Sequence, residues 1–219
     1  MTICFDLDGT LLDVRPKYER LYRLYLNRHD GRALPMEEFW QMKRSGISNT
    51  ELCLRSGLPE ATAAGFGAFV RDEVESAESL NLDQVFHGVP KALTELADRF
   101  ELCLVSCRRD RAAFEDQLER RGLRDYFRNV GVASSDRESL RSKACILGEW
   151  IGDSRSLVVG DSEADLDAGR RIGAATCALT SGVRTREFLV RLNPDFVARG
   201  IEELPDLADR LNRGAIVPS

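Results

Sequence analysis

The chain has 219 residues, 43% of them hydrophobic and 31% charged, with a formal net charge of −5. That is enough apolar material for one large domain or two unequal ones, while the scattered lysines and arginines exclude the basic footprint of a nucleic-acid or anionic-membrane binder. No apolar run approaches membrane-spanning length and Met1 to Asp6 lack the features of a signal peptide, so the expected location is the cytoplasm.

Residues 2–5 form a short apolar run that predicts a buried strand, and it leads straight into Asp6-Leu7-Asp8-Gly9-Thr10. From residue 14 to 86 there is no convincing strand. Tyr18, Leu21, Tyr22, Tyr25 and Leu26 fall at the spacing of an amphipathic helix. Phe39 and Trp40 mark a second helix, Glu51 to Leu54 a third, and Phe66, Phe69, Val70, Val74 and Ala77 a fourth. A connection of this length is too long for a loop, and it predicts a helical domain inserted between the first strand and the rest, with hinges near residues 12–16 and 83–90.

After Gly88 the pattern changes to short apolar runs at 102–106, 129–132, 156–159, 176–179 and 195–197. They alternate with helical segments at 109–121, 140–150, 163–172 and 184–192. This alternation predicts an α/β fold with a parallel, Rossmann-like sheet. The expected domains are therefore a core of residues 1–13 and 87–219 and a helical cap of residues 14–86. Six cysteines (Cys4, Cys53, Cys103, Cys107, Cys145 and Cys177) are dispersed without a Cys-x-x-Cys pair and read as reduced thiols.

Alone, Asp6-x-Asp8-Gly9 reads as a polar turn leaving a strand. A second acidic group changes the weight of that reading. Gly160-Asp161-Ser162-Glu163-Ala164-Asp165 also follows an apolar strand, with Asp161 at the strand exit and Asp165 one helical turn on. Carboxylates converging without a cation repel one another, and Mg2+, which takes oxygen ligands, resolves the conflict. Ser106 ends an apolar strand, where its hydroxyl and the backbone amide of Cys107 suit a phosphate. Lys143 lies in the segment that leads to Trp150.

Asp-x-Asp-Gly-Thr, a strand-end serine, a lysine and Gly-Asp-x-x-x-Asp, in that order, resemble the four motifs of the haloacid dehalogenase-like hydrolases, over nearly the whole chain. The segment at 14–86 is similar to that superfamily's class I cap, and the chain is closest in pattern to its phosphoglycolate phosphatase and β-phosphoglucomutase-like branch. The resemblance implies phosphatase activity on a small phosphorylated metabolite, with Asp6 as nucleophile and Asp8 as general acid and base. It further implies Mg2+ held by Asp6, the Asp8 carbonyl and Asp161 with Asp165 nearby, and phosphate bound by Ser106, Cys107, Lys143 and Thr10. Asp8 separates this chain from the dehalogenases, which lack a carboxylate there. Two positions depart from the pattern: Ala144 follows Lys143 where many relatives have proline, and Cys107-Arg108 stands where phosphoglycolate phosphatase-like members often have Asn-Lys.

Lys43-Arg44-Ser45-Gly46-Ile47-Ser48-Asn49 joins two cap helices and resembles the loop through which class I caps contact substrate. Arg44, Ser48 and Asn49 are the expected specificity residues, with Arg44 or Lys43 facing a substrate carboxylate or second phosphate. An ordinary glycine-containing helix connection accounts equally well for this segment. Two other functions stand beside the phosphatase: a phosphomutase using the same residues, and a non-catalytic ligand-binding or regulatory module.

Overall fold

The computed structural model describes residues 1–133, 139–151 and 155–217, with side chains from Lys143 onward in the helix that begins at Ser139. Six parallel strands form the sheet: β1 (Thr2–Phe5), β4 (Glu101–Cys107), β5 (Asn129–Ala133), β6 (Ser156–Gly160), β7 (Ala175–Leu179) and β8 (Phe196–Ala198). They lie in the order β5-β4-β1-β6-β7-β8. β1 and β6 are buried along their whole length, which is why their sequences are apolar without alternation.

Side-chain alternation sends Ile3, Phe5, Leu102, Leu104, Leu157 and Val159 to one face. There they meet α7 (Val89–Ala97), α8 (Arg111–Arg120) and α12 (Leu204–Asn212). Cys4, Cys103, Val105 and Val158 face α9 (Ser139–Ile151) and α10 (Glu163–Arg171) on the other side. Chain order reverses at β1, whose neighbours are β4 and β6. In open α/β sheets such a reversal leaves a crevice at the carboxyl ends of the strands.

Between β1 and α7 the chain forms α1 (Arg15–Arg28), α2 (Met36–Arg44), α3 (Asn49–Arg55), α4 (Glu60–Ala63), α5 (Phe66–Glu73) and α6 (Ala77–Asn81). Three differences from the sequence expectation appear here, the first being α4, a single turn too short to show a helical period in the sequence. The predicted fourth helix is broken at residues 74–76, because the Ser76 hydroxyl accepts from the Ser79 amide and starts α6, while the Glu75 carboxylate accepts the Arg109 and Asp110 amides. The insert's two connections also pair as a ribbon, β2 (Leu12–Asp13) antiparallel to β3 (Gln84–Val85). Strands of two residues are too short to show alternation in the sequence.

Caps account for most of the shifted helix boundaries. Asp110 accepts the Ala113 amide and starts α8, and Thr185 accepts the Phe188 amide and starts α11 (Arg186–Val190). The last strand begins one residue late because the Asp195 amide donates to the Thr176 hydroxyl at 3.1 Å instead of to a strand carbonyl.

The insert has its own aromatic core. Tyr22 stacks on Phe39 at 4.1 Å between centroids, and Phe66 meets the edge of Tyr22 and the ring of Tyr25. The Tyr22 hydroxyl shares a hydrogen bond with Ser56 and accepts the Leu34 amide at 3.1 Å. Phe66→Ala is expected to lower stability by about 3–5 kcal/mol in a denaturant titration, since the cavity opens among residues that cannot collapse independently.

Candidate active site

Asp6 is the first residue beyond β1, and its amide donates to Val159 O at 3.0 Å. This fixes it beside the end of β6, where Asp161 follows Gly160. Lys143 reaches across from α9 with its amine at 2.7 Å from Asp6 Oδ1 and 2.6 Å from Asp165 Oδ1. Burial alone would depress the lysine pKa, but Asp165 and Asp6 together hold it protonated. The Asp6 pKa also rises, to about 6, chiefly through burial, with Lys143 opposing and Asp165 and Asp8 adding to the rise.

Asp161 is 1% exposed and accepts from the Thr10 hydroxyl at 2.9 Å and the Val183 amide at 2.5 Å. Two glycines crowd it: a Cβ on Gly9 would lie 2.2 Å, and one on Gly182 2.1 Å, from its Oδ2. Gly9 also needs its left-handed φ of +86° to turn the chain back, so that its amide meets Leu12 O at 2.8 Å. Gly160 makes room in the same way for Asp165, whose second oxygen accepts the Ser162 amide and hydroxyl in a capping box on α10.

Carboxylate oxygens of Asp6, Asp161 and Asp165 all lie within 4.8 Å of one another. One lysine cannot neutralise three buried carboxylates. Burial, then Asp6 and Asp165, push Asp161 well above the usual carboxylate range. A hard dication with oxygen ligands fits this donor set. Both oxygens of Asp161 already accept hydrogen bonds, from the Thr10 hydroxyl and the Val183 amide, as do both oxygens of Asp165, from Lys143 and Ser162, while Asp6 receives Lys143 on Oδ1.

Ser106 and Cys107 end β4 beside this cluster. Arg108 donates its amide to Ala133 O at 3.1 Å, so by strand alternation the Cys107 amide faces the β1 side. Ser106, Cys107, Lys143, Asp6, Asp8 and Asp165 line one cavity of about 210 Å³, closed from the insert by Val14, Lys17, Tyr18, Val74 and Glu75.

The Asp8 carboxylate takes partners other than those of the acidic cluster. Arg108 Nη2 lies 2.9 and 2.8 Å from its two oxygens, and Lys17 Nζ is 3.2 Å from Oδ1. Burial would raise the Asp8 pKa, but Arg108 and Lys17 outweigh it and hold the carboxyl below its ordinary value. Sequence reasoning assigned neither cation to the site. Arg108, two residues past Ser106, could have been found by its place at a strand exit; Lys17, inside an amphipathic helix, carried no signal.

Four expected contacts differ. Thr10 does not present its hydroxyl to a phosphate position, because that hydroxyl is bonded to Asp161. Arg44 does not line the cavity: its guanidinium donates to the carbonyls of Thr180 and Arg184, and its own carbonyl accepts the Thr185 amide. Ser48 caps α3 by accepting the Glu51 amide, and Asn49 opens that helix with its amide near Gly67. Lys43 lies closer to the chemistry, its amine 3.9 Å from the ring centroid of the cavity-lining Tyr18. Burial, then Arg184, lowers its pKa to about 8.

A parallel sheet with paired acidic groups at its carboxyl edge and a helical insert over them defines a class of hydrolase core. Residues 1–173 match the haloacid dehalogenase-like hydrolase family, and the chain belongs to it. It is 26% identical over 213 residues to a phosphoglycolate phosphatase of Synechococcus elongatus, covering 96% of this chain and 98% of that one. A phosphoglycolate phosphatase of Vibrio parahaemolyticus is 28% identical over 216 residues, covering 92% and 93%. A haloacid dehalogenase-like hydrolase of Streptococcus pneumoniae has the same fold, with a TM-score of 0.71, 19% identity and coverage of 96% and 98%. Among the described residues no helix is long and apolar enough to cross a membrane.

Because Thr10 bonds Asp161, Thr10→Val is expected to weaken Mg2+ binding by about 10–100-fold in a calorimetric titration, as lost supports of metal ligands commonly do. A changed KM with unchanged metal affinity would instead return Thr10 to the phosphate.

Proposed function

We propose that this chain hydrolyses a compact phosphomonoester by phosphoryl transfer to Asp6. The observation that carries the reading is the placement of Asp6 in the cavity lining, with Lys143 at 2.7 Å and Asp161 just beyond the end of the adjacent strand. The lysine keeps Asp6 in its carboxylate form and orients it. The carboxylate then attacks phosphorus, forming an acyl phosphate on Asp6 as the phosphorus–oxygen bond to the leaving group breaks.

Ser106, the Cys107 amide and Lys143 bind the phosphoryl oxygens. Asp8 donates a proton to the departing alkoxide and afterwards takes one from the water that cleaves the acyl phosphate; because Arg108 and Lys17 favour its carboxylate, carrying that proton costs part of their attraction. Bound Mg2+, held by Asp6, Asp161 and the Asp8 carbonyl, would offset the negative charge gathered at the transferring group. The helical insert acts as a cap that excludes bulk water.

Two things support a compact substrate of the phosphoglycolate kind. The cavity of about 210 Å³ is below the roughly 300–1,000 Å³ of sites for drug-sized ligands. Phosphoglycolate phosphatases stand among the full-length relatives. A mutase would also need room for a second sugar hydroxyl in the same space.

Asp6→Asn is expected to abolish release of inorganic phosphate from phosphoglycolate with Mg2+ present; turnover that survives would overturn the mechanism. Asp6 and Asp161 have raised pKa values in the metal-free protein, so the stability they contribute is present below the unfolded carboxylate pKa and lost as pH rises. For Asp6 that loss runs from about 4 to about 6. Mg2+ removes the repulsion, and the rise in Tm on adding it should be larger at pH 7.5 than at pH 5. Equal rises at both pH values would argue against these carboxylates as the ligands.

A further inference from the structure

A second buried network lies beside the acidic cluster and closes on Asp8. Lys17 comes from α1, Asp83 from the return connection just before β3, Arg108 from the exit of β4 and Gln117 from α8. Lys17 Nζ is 2.8 Å from Asp83 Oδ2, and the Gln117 side-chain amide donates to the same oxygen at 2.9 Å and to Leu80 O at 3.1 Å. Arg108 Nη2 donates to Gln117 Oε1 at 2.9 Å, and Arg108 and Lys17 both grip Asp8. The four residues are at most 4% exposed.

Burying two cations and a carboxylate at this depth is a poor route to stability, because desolvation offsets much of the attraction and apolar residues of equal volume serve as well. The arrangement retains polar atoms it does not satisfy, Asp83 Oδ1 and Arg108 Nε. Its clear geometric effect is on Asp8. Two long, flexible cations would otherwise be drawn toward Asp6 or the incoming phosphate. Asp83 and Gln117 bond the same Lys17 Nζ and Arg108 Nη2 that contact Asp8, and so hold both cations on its carboxylate.

We propose that Asp83 and Gln117 are positioning residues for proton delivery to the leaving group: neither touches Asp8, and each acts through Lys17 and Arg108. The inference rests on the role given to Asp8 in the proposed hydrolysis. It predicts a defect that depends on the leaving group. An alkoxide needs a proton as it departs, whereas the acetate leaving from acetyl phosphate does not.

The test compares kcat/KM for phosphoglycolate and for acetyl phosphate with Mg2+, a quantity that ends at phosphoryl transfer to Asp6 and omits the later water step. Asp8→Asn, the reference, is expected to lose about 10²–10⁴-fold on phosphoglycolate and little on acetyl phosphate. Asp83→Ala and Gln117→Leu should lose about tenfold to a hundredfold on phosphoglycolate, as small displacements of catalytic groups do, and less than about twofold on acetyl phosphate. Asp83→Asn, which keeps an acceptor for Lys17 and Gln117, should fall between wild type and Asp83→Ala.

The acetyl phosphate rate itself reports that a variant is folded, and Gln117→Leu carries the test if Asp83→Ala does not fold. Equal losses on both substrates, or none on either while Asp8→Asn discriminates, would overturn the positioning role alone. An Asp8→Asn enzyme that loses equally on both would overturn the role of Asp8 and this inference together.

Discussion

The organisation of the site depends on one buried cation held among carboxylates. Lys143, 3% exposed, stands between Asp6 and Asp165 and links α9 to the ends of β1 and α10. Three carboxylates so close together would otherwise protonate or separate. The lysine settles part of the charge and leaves Asp6 and Asp161 facing each other, an arrangement that fits a dication and a phosphoryl group. Removing the amine would leave buried carboxylates uncompensated, so the same contact serves both folding and chemistry.

Close approach is the second constraint. Gly9, Gly160 and Gly182 sit where a Cβ would strike Asp161 or Asp165 at 2.1–2.2 Å. Each glycine lets backbone pass within contact distance of an acidic side chain, and so lets the ends of two neighbouring strands present their carboxylates to a single point. The strand-order reversal at β1 supplies the crevice, and the glycines make it narrow enough to be useful.

The insert contributes more than a roof. On one side its ribbon of β2 and β3 and the buried Lys17–Asp83 pair tie it to Asp8. On the far side Arg44 grips the carbonyls of Thr180 and Arg184, and Gly46 lies against the Phe188 ring. The cavity is therefore bounded by contacts made from both sides of the insert, and its small volume follows from how tightly these hold.

Much of this was legible in the sequence because it is local. Buried parallel strands announce themselves as short apolar runs, and residues directly after them, Asp6, Asp8, Ser106 and Asp161, must emerge at the carboxyl edge of the sheet. Asp165 follows from Asp161 by one helical turn. The helical character of residues 14–86 followed from apolar periodicity in the same way. What remained hidden was non-local. Lys17, Asp83, Arg108 and Gln117 share no spacing, and only packing of the insert on the core brings them together. Thr10 and Arg44 had the right chemistry for a phosphate or a carboxylate, but a side chain's partner is decided by which buried acceptor lies within reach. For Thr10 that acceptor is Asp161, and for Arg44 it is a pair of core carbonyls. Sequence alone thus determined which groups stand at the strand ends, because strand geometry is local. Tertiary structure alone decided what each group touches, because burial leaves every polar atom to find its partner among residues distant in the chain.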